Sequence, residues 1–406
     1  RLTMEQVVEI AQSDAPDVQL AQTRLSNRYW SYQTFLADYK PLINFSATLP
    51  DLNRSINSIT LPDGGEAFIQ RSLMNNQVGL SLRQDVALTG GTIFLNTNLS
   101  RLDIFSTNGN PGSISYFSTP VSISFVQPIF NFNELKWNRK IEPLRYQEAK
   151  RSYSEDMEQT AFEAVQLFFD VLIAQLNVQA AEQEKSNADT LYEISKGRFE
   201  VGKIAETELL QIELSVANAE NALAQATLSL QSSTEQLRNF LGIQEVVRFE
   251  MIAPTEIPDF IVEADRALQF ALRNRSETIA FERRLRQAER DVAVAKGQTG
   301  PQVNLTGNFG LSQTASELDL AYQDLLNQER VTLSLQIPIA DWGSSQARRE
   351  VAQSNLELEQ MNVQQERVNF ERNILLKVQQ FDLVRNQIDR ALRAYEISQK
   401  RQQMTR

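Results

Sequence analysis

Two stretches of the sequence each collect ionisable side chains that could do chemistry. The first contains Glu193, Lys196, Arg198, Glu200 and Lys203, and the second contains Glu396, Lys400, Arg401 and Arg406. Such mixed charges can form links between neighbouring helices that open and close, or they can be solvated helix ends whose basic groups complement the C-terminal dipole. The residue types alone leave both interpretations open.

Catalysis and metal binding are disfavoured by two missing residue types. The 406-residue chain contains no Cys and no His, which removes the thiolate nucleophile, the Cys-type zinc site and the usual general base at neutral pH. We therefore expect no enzyme activity, no cofactor and no metal site. The net charge of −11 argues against nucleic-acid binding, because that requires a basic face. No run of 18 apolar residues occurs, which predicts no transmembrane helix.

The elements that must position these charges occur twice along the chain. Pro41 and Pro301 each begin a strand after a long helical pattern, at an offset of 260 residues. Pro128 and Pro338 end the following strands at an offset of 210, so the first copy carries about 50 extra residues. The repeated unit is helix, strand, strand, long helix.

The repeat predicts the following division of the chain. The first repeat, 1–250, contains a helix over 3–40, strands and an inserted hairpin over 41–130, and a long helix pair over 132–241. A crossover linker covers 251–262. The second repeat, 263–406, contains a helix over 263–297, strands over 301–340 and a long helix over 343–406, and its return helix is missing. We expect the chain to be part of a longer protein for that reason.

The long helices are unusual for a globular core. One apolar period of three and four residues runs from Phe132 to about Phe199, a rod of roughly 100 Å. A return pattern follows from Ile204 to Leu241. These helices alone favour a soluble antiparallel coiled coil, which leaves the strands unexplained.

The strands alternate between apolar residues and small neutral polar residues. Soluble sheets usually present Lys, Glu and Arg to water, whereas neutral polar faces are typical of a water-filled lumen. We call the predicted lumen-facing residues the lumen set: Asn44, Ser46, Thr48, Ser122, Ser124, Asn304, Thr306, Asn308, Thr332, Ser334 and Gln336. Strands of about ten residues can cross a bilayer when tilted. So few strands cannot close a barrel, and lipid forbids open edges, so we expect oligomers.

These features together resemble the TolC family of outer-membrane efflux channels over nearly the whole chain. The resemblance is carried by the break Asp14-Ala15-Pro16, the strand start Pro41-Leu42-Ile43, the junctions Gln127-Pro128-Ile129-Phe130 and Ile337-Pro338-Ile339-Ala340-Asp341-Trp342-Gly343, and the turn Arg198-Phe199-Glu200-Val201-Gly202-Lys203-Ile204. It implies an α+β membrane protein, a homotrimer in which four strands per chain form a twelve-stranded transmembrane β-barrel. The barrel would continue into a long periplasmic α-helical barrel.

The resemblance also implies roles for the charged stretches. A periplasmic adaptor (membrane fusion) protein would dock on Arg198, Val201, Gly202 and Lys203, which we call the tip set. The gate interpretation of the charges selects Glu193, Arg198, Tyr395, Glu396 and Arg401, which we call the gate set.

The resulting hypothesis is an exit duct in the cell outer membrane, with most of its mass in the periplasm and its barrel in outer-membrane lipid. It would serve a tripartite efflux or type I secretion system, exporting small molecules or proteins passively while an inner-membrane pump supplies energy. The alternatives are a helical filament protein or a soluble coiled-coil adaptor with a β insertion. The hairpin inserted at 76–100 exceeds the four family strands, and we expect it to lie in a loop.

Overall fold

The structure, a computed structural model, describes residues 1–60, 62–106, 111–245, 249–254 and 260–405. The helices of this part are α1 (Met4–Asp14), α2 (Pro16–Ala37), α3 (Glu134–Glu200), α4 (Glu206–Phe240), α5 (Ala264–Asn274), α6 (Ser276–Thr299) and α7 (Ser344–Thr405), with a short 3-10 turn at Leu320–Tyr322. The strands are β1 (Leu42–Thr60), β2 (Glu66–Val86), β3 (Gly91–Ile104), β4 (Ser113–Ile129), β5 (Gln302–Ala315) and β6 (Leu326–Gln336). Part of the predicted linker, 255–259, lies outside the described residues.

The first predicted helix is two helices, and its break is repeated. Thr3 and Gln6 form a capping box at the start of α1, and Pro16 begins α2, where its missing N–H is not needed. The second copy breaks in the same place, between α5 and α6, 260 residues later. The fold is therefore an α+β duplication, as the sequence predicted.

The six strands form one antiparallel sheet in chain order, β1-β2-β3-β4-β5-β6. The expectation that the inserted hairpin lies in a loop is wrong, because β2 and β3 pair along their lengths with β1 and β4. The hairpin is also longer than the predicted 76–100. The place of the hairpin in the sheet depends on pairing with strands that are distant in the sequence, and local sequence patterns do not reveal such pairing.

The described residues form two compact units. The first consists of Arg1–Arg28, Gln147–Thr278 and Asn369–Arg406, and the second consists of Tyr29–Tyr146 and Ile279–Val368. A buried cluster that includes Val7, Phe168 and Leu237 joins α1, α3 and α4 in the first unit. The second unit contains the sheet. Both units draw on both sequence repeats.

Helix α3 contains a segment that is long and apolar enough to cross a membrane, judged by length and composition only. The sequence predicted no such helix, because no uninterrupted apolar run of that length occurs. Phe168 and Val171 of α3 are fully buried against Leu237 and Leu241.

Helices α6 and α7 are joined within the second unit by a shared cation. The guanidinium of Arg284 forms ion pairs with Glu359, at 2.5 Å from Nε, and with Glu366. The hydrogen bonds that Arg284 donates to Glu366 and Glu359 raise its pKa above the ordinary value. One planar donor group therefore binds two glutamates that lie about two helical turns apart on α7.

Candidate functional site

The strand register places the whole lumen set on one face of the sheet. Asn44 lies opposite Ser81, Ser81 opposite Asn96, and Asn96 opposite Ser122. Ser124 lies opposite Asn308 in the second copy. Because side chains alternate with a period of two, the other members follow on the same face.

Neutral hydrogen bonds cross between strands on this polar face. The hydroxyls of Ser122 and Ser124 both donate to Asn308 Oδ1, at 2.9 and 3.2 Å. Thr306 Oγ1 donates to the carbonyl oxygen of Thr332 at 3.4 Å. These groups offer hydrogen-bond donors and acceptors without fixed charge.

The hairpin adds a charged group to the same face, which the sequence reasoning missed. Arg83 Nη2 lies 3.1 Å from Asp85 Oδ1, and Thr92 Oγ1 donates to that oxygen at 2.6 Å. Continuing the alternation of β2 beyond Leu82 would have found both charges. The face is therefore not uniformly neutral.

The turn between β2 and β3, residues 87–90, is bound to the junction between strand and helix. Asn133 Nδ2 donates to the carbonyl oxygen of Ala87 at 3.0 Å, and Gln127 Nε2 donates to that of Thr89 at 3.0 Å. On the other side, Gln84 Nε2 donates to the carbonyl oxygen of Tyr39 at 3.1 Å. These bonds fix the turn to the junction between β4 and α3, and the end of β2 to the segment that follows α2.

The tip set comes together in the turn that joins α3 to α4. Gly202 has a φ of +71°, a conformation that glycine adopts without steric cost. Its N–H donates to the carbonyl oxygen of Phe199, and that of Lys203 donates to Arg198, both at 2.8 Å. These bonds end α3 in a Schellman motif, and Val201 is left 67% exposed.

The residues of the gate set lie on two different helices. Glu193 and Arg198 belong to α3, whereas Tyr395, Glu396 and Arg401 belong to α7. Gln399 Nε2 donates to Tyr395 Oη at 2.7 Å, one turn along the same helix. Links between these helices therefore stay a prediction.

The break between α5 and α6 is held by two charged residues of α3. Glu155 accepts hydrogen bonds from the backbone N–H and the hydroxyl of Ser276, at 2.6 and 2.7 Å. Arg151 Nη1 donates to the carbonyl oxygen of Arg275 at 3.0 Å. Burial raises the pKa of Glu277, but hydrogen bonds, chiefly from Arg275, outweigh it and lower that pKa overall.

No cluster of acidic side chains suited to a metal ion occurs among the residues the structure describes. The candidate functional features of the described residues are therefore the sheet with its polar and apolar faces, the long helices, and the exposed turn between α3 and α4.

Comparison with known proteins shows which family and which solved structures this chain is similar to. The model of the outer membrane efflux protein family matches residues 7–243 and 267–406. No curated protein sequence matches the chain. The solved structure of CusC, described with conformational changes that accompany folding and transmembrane channel formation, is 15% identical with a TM-score of 0.62, over 96% of this chain and 78% of its own.

Two other solved channels share the fold. The CmeC outer membrane channel of Campylobacter jejuni is 16% identical with a TM-score of 0.62, over 99% of this chain and 76% of its own. The outer-membrane channel OprN is 17% identical with a TM-score of 0.63, over 96% and 76%. The TolC-type fold and the matched family together show that the chain belongs to the outer membrane efflux protein family, as an outer-membrane efflux duct and not an enzyme.

Proposed function

We propose that the chain is the passive exit duct of a tripartite efflux or type I secretion system. The observation that supports this most is a single sheet with one apolar face and one mostly neutral polar face, in a chain that also carries the exposed turn between α3 and α4. A pump in the inner membrane would supply the energy. The duct itself needs only a pore and a docking site.

The open edges of the sheet support a homotrimer. Strands β1 and β6 have no partner strand on their outer sides among the described strands, and nearly all their side chains are exposed. Unpaired backbone groups are unfavourable in lipid, so copies of the chain would pair edge to edge. The trimer is the assembly that the resemblance to TolC channels implies.

The two faces of the sheet would then contact different surroundings. The apolar face would contact outer-membrane lipid, and the lumen set would line the water-filled interior. The chain's net charge of −11 would favour cations. Most of the remaining mass, in the long helices, would lie in the periplasm.

The tip set supplies the docking site for a periplasmic adaptor. Val201 is an exposed apolar side chain flanked by the cations of Arg198 and Lys203. A rigid turn that presents one apolar group among charges suits a partner with an apolar pocket and acidic rim. The gate set would hold the helical end closed until the adaptor binds.

The test begins with the protein extracted from membranes in detergent. Light scattering should give the protein mass of three chains, and the adaptor encoded beside a partner pump should bind the trimer. Val201→Asp should abolish adaptor binding, whereas Val201→Thr, which keeps the shape without charge, should retain most of it. A monomer that stays soluble without detergent would contradict the proposal.

A further inference from the structure

We propose that the β2–β3 hairpin is part of the membrane wall, so that each chain contributes six strands and a trimer forms an eighteen-stranded barrel. This inference rests on the proposed trimeric duct. It departs from the four strands per chain, twelve in total, that the resemblance implies.

The pairing of strands gives the first argument. A wall built from β1, β4, β5 and β6 alone requires β1 to pair directly with β4. Instead β1 pairs with β2 from Leu42 to Thr60, and β4 pairs with β3. Moving the hairpin out of the wall would break both sets of backbone hydrogen bonds and leave four new open edges.

The faces of the hairpin match those of its neighbours. One row of paired residues crosses the whole sheet on the apolar face and is apolar from β1 to β5, ending on the charged Glu329 of β6: Ile43, Leu82, Leu95, Ile123, Phe309 and Glu329. Leu95 and Phe309 are equally exposed, at 41%. The hairpin therefore presents apolar side chains to the same side, and to the same degree, as a strand of the second copy.

The apolar belt slants across the sheet as a tilted barrel requires. On β1 the belt consists of Ile43, Phe45 and Ala47, and its middle, Phe45, lies two residues to one side of that row. On β6 it consists of Val331, Leu333 and Leu335, and its middle, Leu333, lies four residues to the other side. A shift of about six residues at ~3.3 Å over five spacings of ~4.8 Å is a slant of about 40°. Strands in membrane barrels tilt by about 35–45°. The slant takes this value only when β2 and β3 are counted.

The edges fit a second copy of the same chain. Strands alternate in direction through the sheet, and six is even, so β1 and β6 run in opposite directions. Edge pairing between copies is then antiparallel, like every pairing within the chain. The apolar and polar faces continue across the joint because both edge strands alternate.

The consequence is a wider pore. Barrel diameter grows roughly linearly with strand number, so eighteen strands make an opening about one and a half times as wide as twelve. Bulkier solutes would pass. The ion pair of Arg83 with Asp85 would line this wider lumen.

The test uses the absence of native cysteine. Nitroxide labels are placed on single-cysteine variants of the full chain in phosphatidylethanolamine–phosphatidylglycerol vesicles, and their accessibility to oxygen and to a water-soluble nickel chelate is measured. The variants form three matched pairs: Leu80→Cys and Ser81→Cys on β2, Leu95→Cys and Asn96→Cys on β3, and Phe309→Cys and Asn308→Cys on β5.

The β5 pair distinguishes a failure of the six-strand inference from a failure of the proposed duct. We expect the oxygen-to-nickel ratio to be several-fold higher at the first member of every pair than at the second. If only the β5 pair shows this difference and both hairpin pairs contact water on both faces, the hairpin lies outside the wall and the inference is overturned. If the β5 pair also contacts water on both faces, the proposed duct itself fails.

Discussion

Asn133 forms a hydrogen bond with Ala87 and also caps helix α3. Its Nδ2 donates to the carbonyl oxygen of Ala87, and its Oδ1 accepts the N–H of Lys136 at 3.0 Å in the first turn of α3. One side chain thus joins the hairpin's turn to the start of the long helix. The position of the hairpin in the sheet and the start of α3 are coupled.

Substitution of Asn133 should separate the contribution of the hydrogen bond to Ala87 from that of the helix cap. Asp caps helices as well as Asn but has no donor for Ala87, so Asn133→Asp should lose about 1 kcal/mol of unfolding free energy. Asn133→Ala loses the cap as well, and about 2 kcal/mol is expected. Urea unfolding in detergent measures both. Equal stability of the Asp variant and the unmodified protein would contradict the role of the Ala87 contact.

Two glycines should respond to alanine with opposite signs. A Cβ on Gly297 of α6 would lie 2.6 Å from the backbone nitrogen of Phe132, so Gly297→Ala should cost about 1–3 kcal/mol. An added Cβ at Gly197 of α3 would meet nothing within 4 Å beyond the local helix backbone, so Gly197→Ala should gain up to about 1 kcal/mol. Thermal unfolding of both variants checks this, and shifts of the same sign would refute it.

The lowered pKa of Glu277 predicts a loss of stability in acid. Arg275 binds both carboxylate oxygens, at 2.6 and 3.1 Å. The stabilisation is complete above the unfolded pKa of about 4.3 and disappears as pH falls through the lower folded value. Glu277→Gln should reduce the melting temperature at pH 7 and have little effect at pH 3. If the decrease in melting temperature were the same at both pH values, the ionised pair of Glu277 and Arg275 could not be its cause.

The gate set makes a prediction about conductance. If links between helices hold the tunnel closed, charge reversal at Arg198 and Arg401 breaks them and should raise single-channel conductance. Lys203→Glu changes the charge equally but lies outside the gate set, so it is the matched control. Unchanged conductance with both arginines reversed would remove them from the gate.

Sequence periodicity predicted the helices and most strands because apolar spacing of 3.6 and 2 residues is a local property. The break before Pro16 and the turn at Gly202 were likewise readable, since proline and glycine restrict the backbone locally. The length of β1 beyond Leu49 was missed, because a register shift between Thr48 and Asp51 interrupts the alternation there. The partners of β2 and β3 depend on residues far along the chain. The gate pairs depend on contacts between helices that no single stretch specifies.

The central claim is that copies of this chain form a continuous pore, and single-channel recording in a planar bilayer tests it most directly. Protein extracted in detergent should insert and give discrete, long-lived conductance steps that favour cations. Protein that stays soluble without detergent and gives no steps would contradict the account.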